Sequence, residues 1–558
     1  MKKRRTKILI ILLSYLVISF IVLYYGTTTK LKFSHAPGFY EHEIQLELLG
    51  AEYNDVFYTL DGSEPTRDSK EYTGPILIYD MSNNENIYAS RADVSTGLYD
   101  SLVTEYTGKK SEYRIPDYLV DKCCVVRAAI IDQNGKIIEQ ISGSYFIGYD
   151  AKENYENLYM ASIITDPNNL FDYEKGIYVT GKAFDNIKDR IPELYETPAS
   201  WWWWDANYSG RGREWEREAH VSIWNLQREE VVSQDCGIKI QGKGSRALLP
   251  KTLGVVARTE YSGVDELEGD IFGTGNNSRK IKIFSGGTDC NYKIKDYVVH
   301  SMVSDLSFST MKFIPCALFL DGEYWGCYYL TENYDKDYVA DYYGVDPDSV
   351  IIQKADMLSE GVEDDIVLYR EMRKYIAESD MTDEQNYIEA CKLIDIESYI
   401  DYYASQIFIA RYGDWPIGNE ACWRTRGIDY NKPYADGKWR WMLYDVNSGG
   451  LTLDCIERDT IAEVKEADVV FNSLWENDNF RKQFLDRLVY ISEEVYKKEK
   501  YDFVIDAYLD IMVPPIEDSM RRFQGERHTD KIIANAENMR IFFDRRKEFI
   551  KVLVEKYS

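Results

Sequence analysis

A chain of 558 residues is too long for one hydrophobic core, so two or more domains are expected. Its 45% apolar and 29% charged residues exclude a disordered chain, and a net charge of −28 excludes nucleic-acid binding, which needs Lys and Arg to neutralise phosphates. That charge fits solubility outside a cell or basic partners; the 46 Tyr and 12 Trp suit wet recognition surfaces or reflect compositional bias.

The chain opens with Lys2, Lys3, Arg4, Arg5 and Lys7, followed by an apolar run over 8–25 broken only by Ser14 and Ser19. As a helix this run is ~27 Å long, close to the hydrocarbon thickness of a bilayer. The basic cluster predicts a transmembrane signal anchor over 1–28, a single-pass location in the cell membrane, and an extracytoplasmic fate for everything after Gly26. Tyr24-Tyr25-Gly26-Thr27 offers no small-residue cleavage site, which disfavours a removed signal peptide. The nine cysteines contain no C-x-x-C and the five histidines are scattered, so no zinc-type cluster and no disulfide can be drawn.

From 29 to 149 the text reads as short strands and turns. Ile44-Gln45-Leu46-Glu47-Leu48 alternates with period two, Asp61-Gly62-Ser63-Glu64-Pro65-Thr66 is a dense turn signal, and Asp132-Gln133-Asn134-Gly135 predicts a hairpin after the apolar run 125–131. Together these predict an antiparallel β-sandwich. The strings Ala36-Pro37-Gly38-Phe39-Tyr40, Tyr58-Thr59-Leu60-Asp61-Gly62-Ser63-Glu64-Pro65-Thr66 and Tyr72-Thr73-Gly74-Pro75 closely resemble the chitobiase/β-hexosaminidase C-terminal-type module. The resemblance implies an accessory module without catalytic residues, acting as a spacer or holding carbohydrate such as cell-wall glycan.

The remainder, 150–558, mixes strand-like pieces (236–241, 253–257, 316–320, 324–330, 439–444) with helical periodicity over 396–412, 480–495 and 532–552, an α+β pattern. Trp201 to Trp204 beside Asp205 and Asn207 read either as a sugar-stacking surface or as a packed loop.

Three short motifs carry chemistry. Gly242-Lys243-Gly244-Ser245-Arg246 follows a strand, so its backbone N–H groups can approach an anion while Arg246 forks onto a phosphate and Lys251 reaches back over the loop. Asp414 and Asn419 have the Asp-x4-Asn spacing of a kinase catalytic loop, with Tyr412-Gly413 where His-Arg would stand. The run Trp439-Arg440-Trp441-Met442-Leu443-Tyr444 delivers Asp445 at a strand end, as a magnesium-binding Asp would be delivered.

In this order the motifs, together with 236–257, 319–332, 414–424 and 439–447, resemble the spore-coat protein kinase family (CotH) over most of 155–550. The resemblance implies an atypical protein-kinase-like domain that transfers phosphate from ATP, with Mg, to Ser or Thr of surface or coat proteins. It implies Asp414 as the group orienting the acceptor, Asn419 and Asp445 as metal ligands, and Gly242, Gly244, Ser245, Arg246 and Lys251 as the phosphate-holding set. Family members commonly carry an acid two residues after the metal Asp, and here Asn447 stands there. A non-catalytic surface scaffold or glycan-binding protein is the alternative, and the role of Glu332 is open.

Overall fold

The computed structural model describes residues 30–51, 55–108, 110–149, 152–191 and 204–558. The expected transmembrane helix is corrected here, and with it the single-pass membrane location. Its segment 8–25 lies outside the described residues, and among the described residues no helix is long and apolar enough to cross a bilayer.

The N-terminal module is built on a sheet of five strands among the described residues, the long hairpin Cys124–Ile131 and Ile137–Ile147 forming its centre. The Asp132 carboxylate accepts the N–H of Asn134 and of Lys136, closing the predicted turn. The antiparallel expectation needs one amendment. Gly38–Tyr40 pairs in parallel with Ile137–Ile147, and two-stranded ribbons (Lys32–Phe33 with Leu48–Leu49, Ile44–Leu46 with Ile76–Ile78) complete the module.

The module is packed onto the larger C-terminal part of the chain instead of hanging from a tether. The Glu323 carboxylate accepts the N–H groups of Ile87 (2.6 Å), Tyr88 (3.1 Å) and Ala89 (2.6 Å). Val125 and Phe146 of the module share one buried cluster with Met160, Trp224 and Phe319.

Beyond the module, the strands β1 (Tyr159–Ile164), β2 (Arg217–Trp224), β3 (Glu230–Ile240), β4 (Leu253–Val256), β5 (Lys280–Phe284), β6 (Phe313–Leu320) and β7 (Glu323–Glu332) close into a barrel in the order β1-β2-β3-β4-β5-β7-β6. Only the closing β6–β1 pair is parallel among these. Alternation explains the interior: Ile238 and Ile240 of β3, Leu253 and Val255 of β4, and Ile281 and Ile283 of β5 all point into the core, while Lys239, Gly254 and Lys282 share the outer face. Local patterning locates strands of this barrel but not the closure, because closure depends on pairings distant in sequence.

After β5 the chain turns through 285–289 into α1 (Lys295–Met302), whose first N–H, with that of Ile294 just before it, donates to the Asp289 carboxylate. A second sheet of β8 (Val350–Lys354), β9 (Met357–Glu360), β10 (Ala421–Thr425) and β11 (Arg440–Met442) runs in the order β9-β8-β10-β11. It packs with α2 (Ile366–Glu378), α3 (Ile396–Phe408), α4 (Asp478–Tyr490), α5 (Lys498–Gln524) and α6 (Thr529–Tyr557) around a large aromatic-rich core. Of the four consecutive tryptophans, Trp204 is buried 6.1 Å from the Phe184 ring, as a packed loop requires; 201–203 lie outside the described residues.

Candidate active site

The last turn of α3 is followed by Ala410 with φ of +52°, and the reversal buries Arg411 completely. Its guanidinium donates to the carbonyls of Tyr444 (3.3 Å) and Asp445 (2.6 Å) and stands 3.5 Å from Asp414 Oδ1. One side chain thereby ties the loop after α3 to the loop after β11. In the first loop the N–H groups of Gly418 and Asn419 both return to the Asp414 carbonyl (2.9 and 2.7 Å). A Cβ at Gly418 would stand 2.6 Å from that carbonyl oxygen, so this tight turn admits only glycine.

In the second loop Asp445 adopts φ of +58°, a left-handed conformation costing roughly 1–2 kcal/mol for a residue with a side chain. It is held there from both sides: Arg411 takes its carbonyl, and the next N–H, that of Val446, donates to Asp296 Oδ1 at 3.1 Å.

The side chains form an alternating file of carboxylates and amides. Asn419 Nδ2 donates to Asp414 Oδ2 (2.8 Å) and to Asp445 Oδ2 (2.7 Å). Asn447 Nδ2 donates to Asp445 Oδ1 and Asp296 Oδ2, both at 2.8 Å, while its Oδ1 accepts from the N–H and hydroxyl of Thr288. The three residues expected to form the phosphoryl-transfer centre therefore converge. Asn447 is locked between two carboxylates, and Asp296 on α1 supplies an acid beside the position where only a neutral amide was legible.

Electrostatics follow from crowding acids in a buried place. Burial raises the Asp414 carboxyl above the usual range, with Arg411 opposing and Asp445 reinforcing. Burial, again reinforced by Asp445, pushes Asp296 up to about 7. Asp414 Oδ1 is buried, with the Arg411 guanidinium 3.5 Å away and no closer hydrogen bond. Lys282 faces this group from the barrel: burial lowers its pKa, and Asp445, Asp296 and Asp335 oppose that. Lys354 on β8 is pulled down to about 7, first by burial and then by Lys282.

The expected phosphate-holding set is divided. Lys251 does not join the acids: its fully buried Nζ donates to the Arg246 carbonyl (2.7 Å) and sits 3.8 Å from the centre of the Tyr208 ring. Arg246 turns its guanidinium to the carbonyls of Gly242 (2.8 Å), Gly210 (2.7 Å) and Tyr208 (3.2 Å). Gly242 has φ of +111°, and Gly244 and Ser245 open a short turn over Gly244–Ala247 between β3 and β4. The lysine that faces Asp445 and Asp296 comes from β5, one strand further on. Its signal was in the sequence: Lys280-Ile281-Lys282-Ile283 alternates, then Gly286-Gly287 ends the strand. Glu332 is structural, its carboxylate accepting the Lys312 N–H (2.8 Å) and the Tyr342 hydroxyl (2.6 Å).

Among the described residues no group of three or more His, Cys, Asp or Glu is arranged to hold a metal by itself. Magnesium needs few protein contacts, so that does not conflict with the donors present. Asp445 and Asp414 offer carboxylate oxygens 2.7 and 2.8 Å from the Asn419 amide nitrogen, which fills the place between them as a positive group would. A half-turn of that amide presents Oδ1 instead, so the residues fit the ion.

The family model described as CotH kinase protein matches residues 238–550, and that of the chitobiase/beta-hexosaminidase C-terminal domain matches residues 35–90. No curated protein matches the chain. With a match spanning more than half its length and enclosing Asp414, Asn419 and Asp445, the chain belongs to the CotH kinase protein family.

Proposed function

We propose that this protein transfers the γ-phosphoryl group of ATP to a Ser or Thr hydroxyl of an acceptor protein. The observation that carries the reading is the single Asn419 amide joining Asp414 and Asp445 at 2.7–2.8 Å, with Lys282 facing Asp445 and Asp296. Asp414 Oδ1, which has the Arg411 guanidinium 3.5 Å away and no closer hydrogen bond, is the atom to which an acceptor hydroxyl would donate. The hydroxyl oxygen forms the new bond to phosphorus, the bond from phosphorus to the β–γ bridging oxygen breaks, the proton passes to Asp414, and ADP departs. Arg411 keeps Asp414 oriented while Lys282 holds phosphate oxygens. Asp445 and Asn419 would hold magnesium, whose charge offsets that of the phosphates when it is bound.

A non-catalytic scaffold would have no use for this arrangement of charge. The two readings separate by thermal shift: ATP with Mg²⁺ raises the melting temperature of wild type but not of Asp445→Asn. Equal shifts for both proteins, or none for either, contradict the proposal.

A further inference from the structure

A second charged feature lies on the same outer face of the barrel. Lys239 of β3 pairs with Gly254 of β4, and Gly254 pairs with Lys282 of β5, so the two lysines stand in one row across two strand spacings, or ~9–10 Å. Gly254 leaves that row open, and the Gln241 side chain lies over it: a Cβ on Gly254 would be 2.1 Å from Gln241 Nε2. Beyond Lys239, away from the acids, is an open cavity of about 280 Å³ lined by the strap 210–212, Trp215, Lys239, Gln241 and Arg246.

The cavity is built for negative charge. Arg246 is only 7% exposed, and three carbonyls fix its guanidinium. Burial pulls its pKa down to about 10, with the neighbouring Arg211 adding to the effect. Lys239 is lowered by burial and then by Arg258, Lys280, Arg213 and Arg246. The acids nearby are engaged or stand apart. Glu216 takes Arg258 at 2.7 and 2.8 Å, is also shared with Arg213 and lies 3.7 Å from Lys239; Glu260 pairs with Arg213, and Glu214 lies against Gly212. Among the described residues no carboxylate pairs with Arg211 or Arg246. On a chain of net charge −28, cations left unpaired around a cavity point to an anionic ligand.

We propose that this cavity binds a phosphate group already carried by the acceptor chain, so that the protein prefers substrates phosphorylated near the new site. The proposal rests on the phosphoryl-transfer reading for its meaning. The row from Lys282, beside the phosphoryl group being transferred, to Lys239 sets the scale: at ~3.3 Å per extended residue, ~9–10 Å is about three residues, so the bound phosphate lies a few residues along the chain from the acceptor hydroxyl. Exposed Arg211 opens the cavity to solvent, and the Gln241 side chain separates it from the acids. A group therefore enters from outside the sheet instead of along a nucleotide held at Asp445.

The test uses the full chain and a fluorescent peptide carrying Ser three residues before phosphoserine, with the doubly unphosphorylated peptide as control. Anisotropy is read without nucleotide, on wild type, Arg211→Gln and Lys239→Gln. We expect the phosphopeptide to bind at least ~10-fold tighter than the control, and each substitution to remove most of that preference, as loss of a charge-assisted contact does. Equal affinities in wild type, or a preference untouched by both substitutions, would overturn the proposal. So would substitutions that weaken ATP binding while sparing the phosphopeptide, which would give the cavity to the nucleotide. Because binding is read without transfer, the outcome stands apart from label transfer to the control peptide, which tests the phosphoryl-transfer reading alone.

Discussion

Arg411 donates to the backbone carbonyl of Asp445 at 2.6 Å although 33 residues separate them, and it is the same guanidinium that stands beside Asp414. The loops after α3 and β11 are therefore one mechanical unit. Arg411→Gln should cost about 2–4 kcal/mol of stability, since it strips buried carbonyls of a charged donor, and should reduce kcat. It should also move the acid limb of kcat/KM to higher pH. The cation lowers the Asp414 pKa, so its loss leaves that carboxyl protonated up to a higher pH. Denaturant unfolding and a pH–rate profile check both; an acid limb that does not move contradicts the account.

Lys251, which a reading by motif places on phosphate, is turned away from the acids, and Lys282 faces Asp445 and Asp296 instead. Lys282→Met should leave the fold intact and lower kcat/KM by roughly 100-fold, the scale expected for one electrostatic donor. Lys251→Met should leave turnover near wild type, because this side chain is buried against Tyr208 and its own loop. Burial also sets the sign of its pH effect. With its pKa well below that of an ordinary lysine, the folded state binds fewer protons there than the unfolded chain at alkaline pH. Wild-type stability should thus gain on that of Lys251→Met as pH rises toward ~10. Steady-state kinetics and unfolding at two pH values decide the matter.

These cases show why some of the molecule was legible in its sequence and some was not. Asp414, Asn419 and Asp445 were readable because a strand end and one loop fix them with local spacing. The Gly242–Arg246 turn was readable as a glycine-rich loop, but not the inward direction of Lys251, which depends on Tyr178 and Tyr208 arriving from outside that hairpin. Asp296 and Arg411 were hidden for the same reason: each matters through partners far away in sequence, Asn447 and Asp445. The β1–β6 pairing that closes the barrel joins strands with most of the barrel between them, and period-two alternation cannot reveal a partner.

Asn447→Asp should be a conditional lesion. It replaces a donor to two carboxylates with a further acid, so it should destabilise the metal-free protein by about 2 kcal/mol. Added Mg²⁺ should then raise the melting temperature of the variant more than that of wild type. Thermal unfolding in chelator and in Mg²⁺ checks this; identical metal-dependent shifts contradict it.

Asp289 sets a pH-dependent contribution to stability. Burial raises its carboxyl to about 6, despite the two N–H groups at the start of α1, so the folded state binds more protons than the unfolded chain between pH ~4 and 6. Its contribution to stability therefore falls as pH rises through that window. Asp289→Asn removes the ionisation and keeps an acceptor oxygen, so the variant should gain on wild type, by roughly 1–3 kcal/mol, between pH ~4.5 and ~7.5. Urea unfolding at those two values measures it.

ATP binding should take up protons near neutral pH. Lys354 is pulled down to about 7 by burial and by Lys282, and a polyphosphate beside the two lysines would favour their charged forms. Calorimetry in buffers of different ionisation enthalpy should show net uptake at pH ~7.5, reduced in Lys354→Met.

The central claim is that Asp414, Asn419 and Asp445 act together in phosphoryl transfer. It is tested most directly by incubating residues 30–558 with ATP labelled at the γ-phosphate, Mg²⁺ and a Ser/Thr-containing acceptor. Wild type should transfer label to hydroxyl oxygen, and Asp414→Asn and Asp445→Asn should each lose it by at least ~100-fold while keeping a cooperative unfolding transition. Equal incorporation by wild type and both variants would contradict the account.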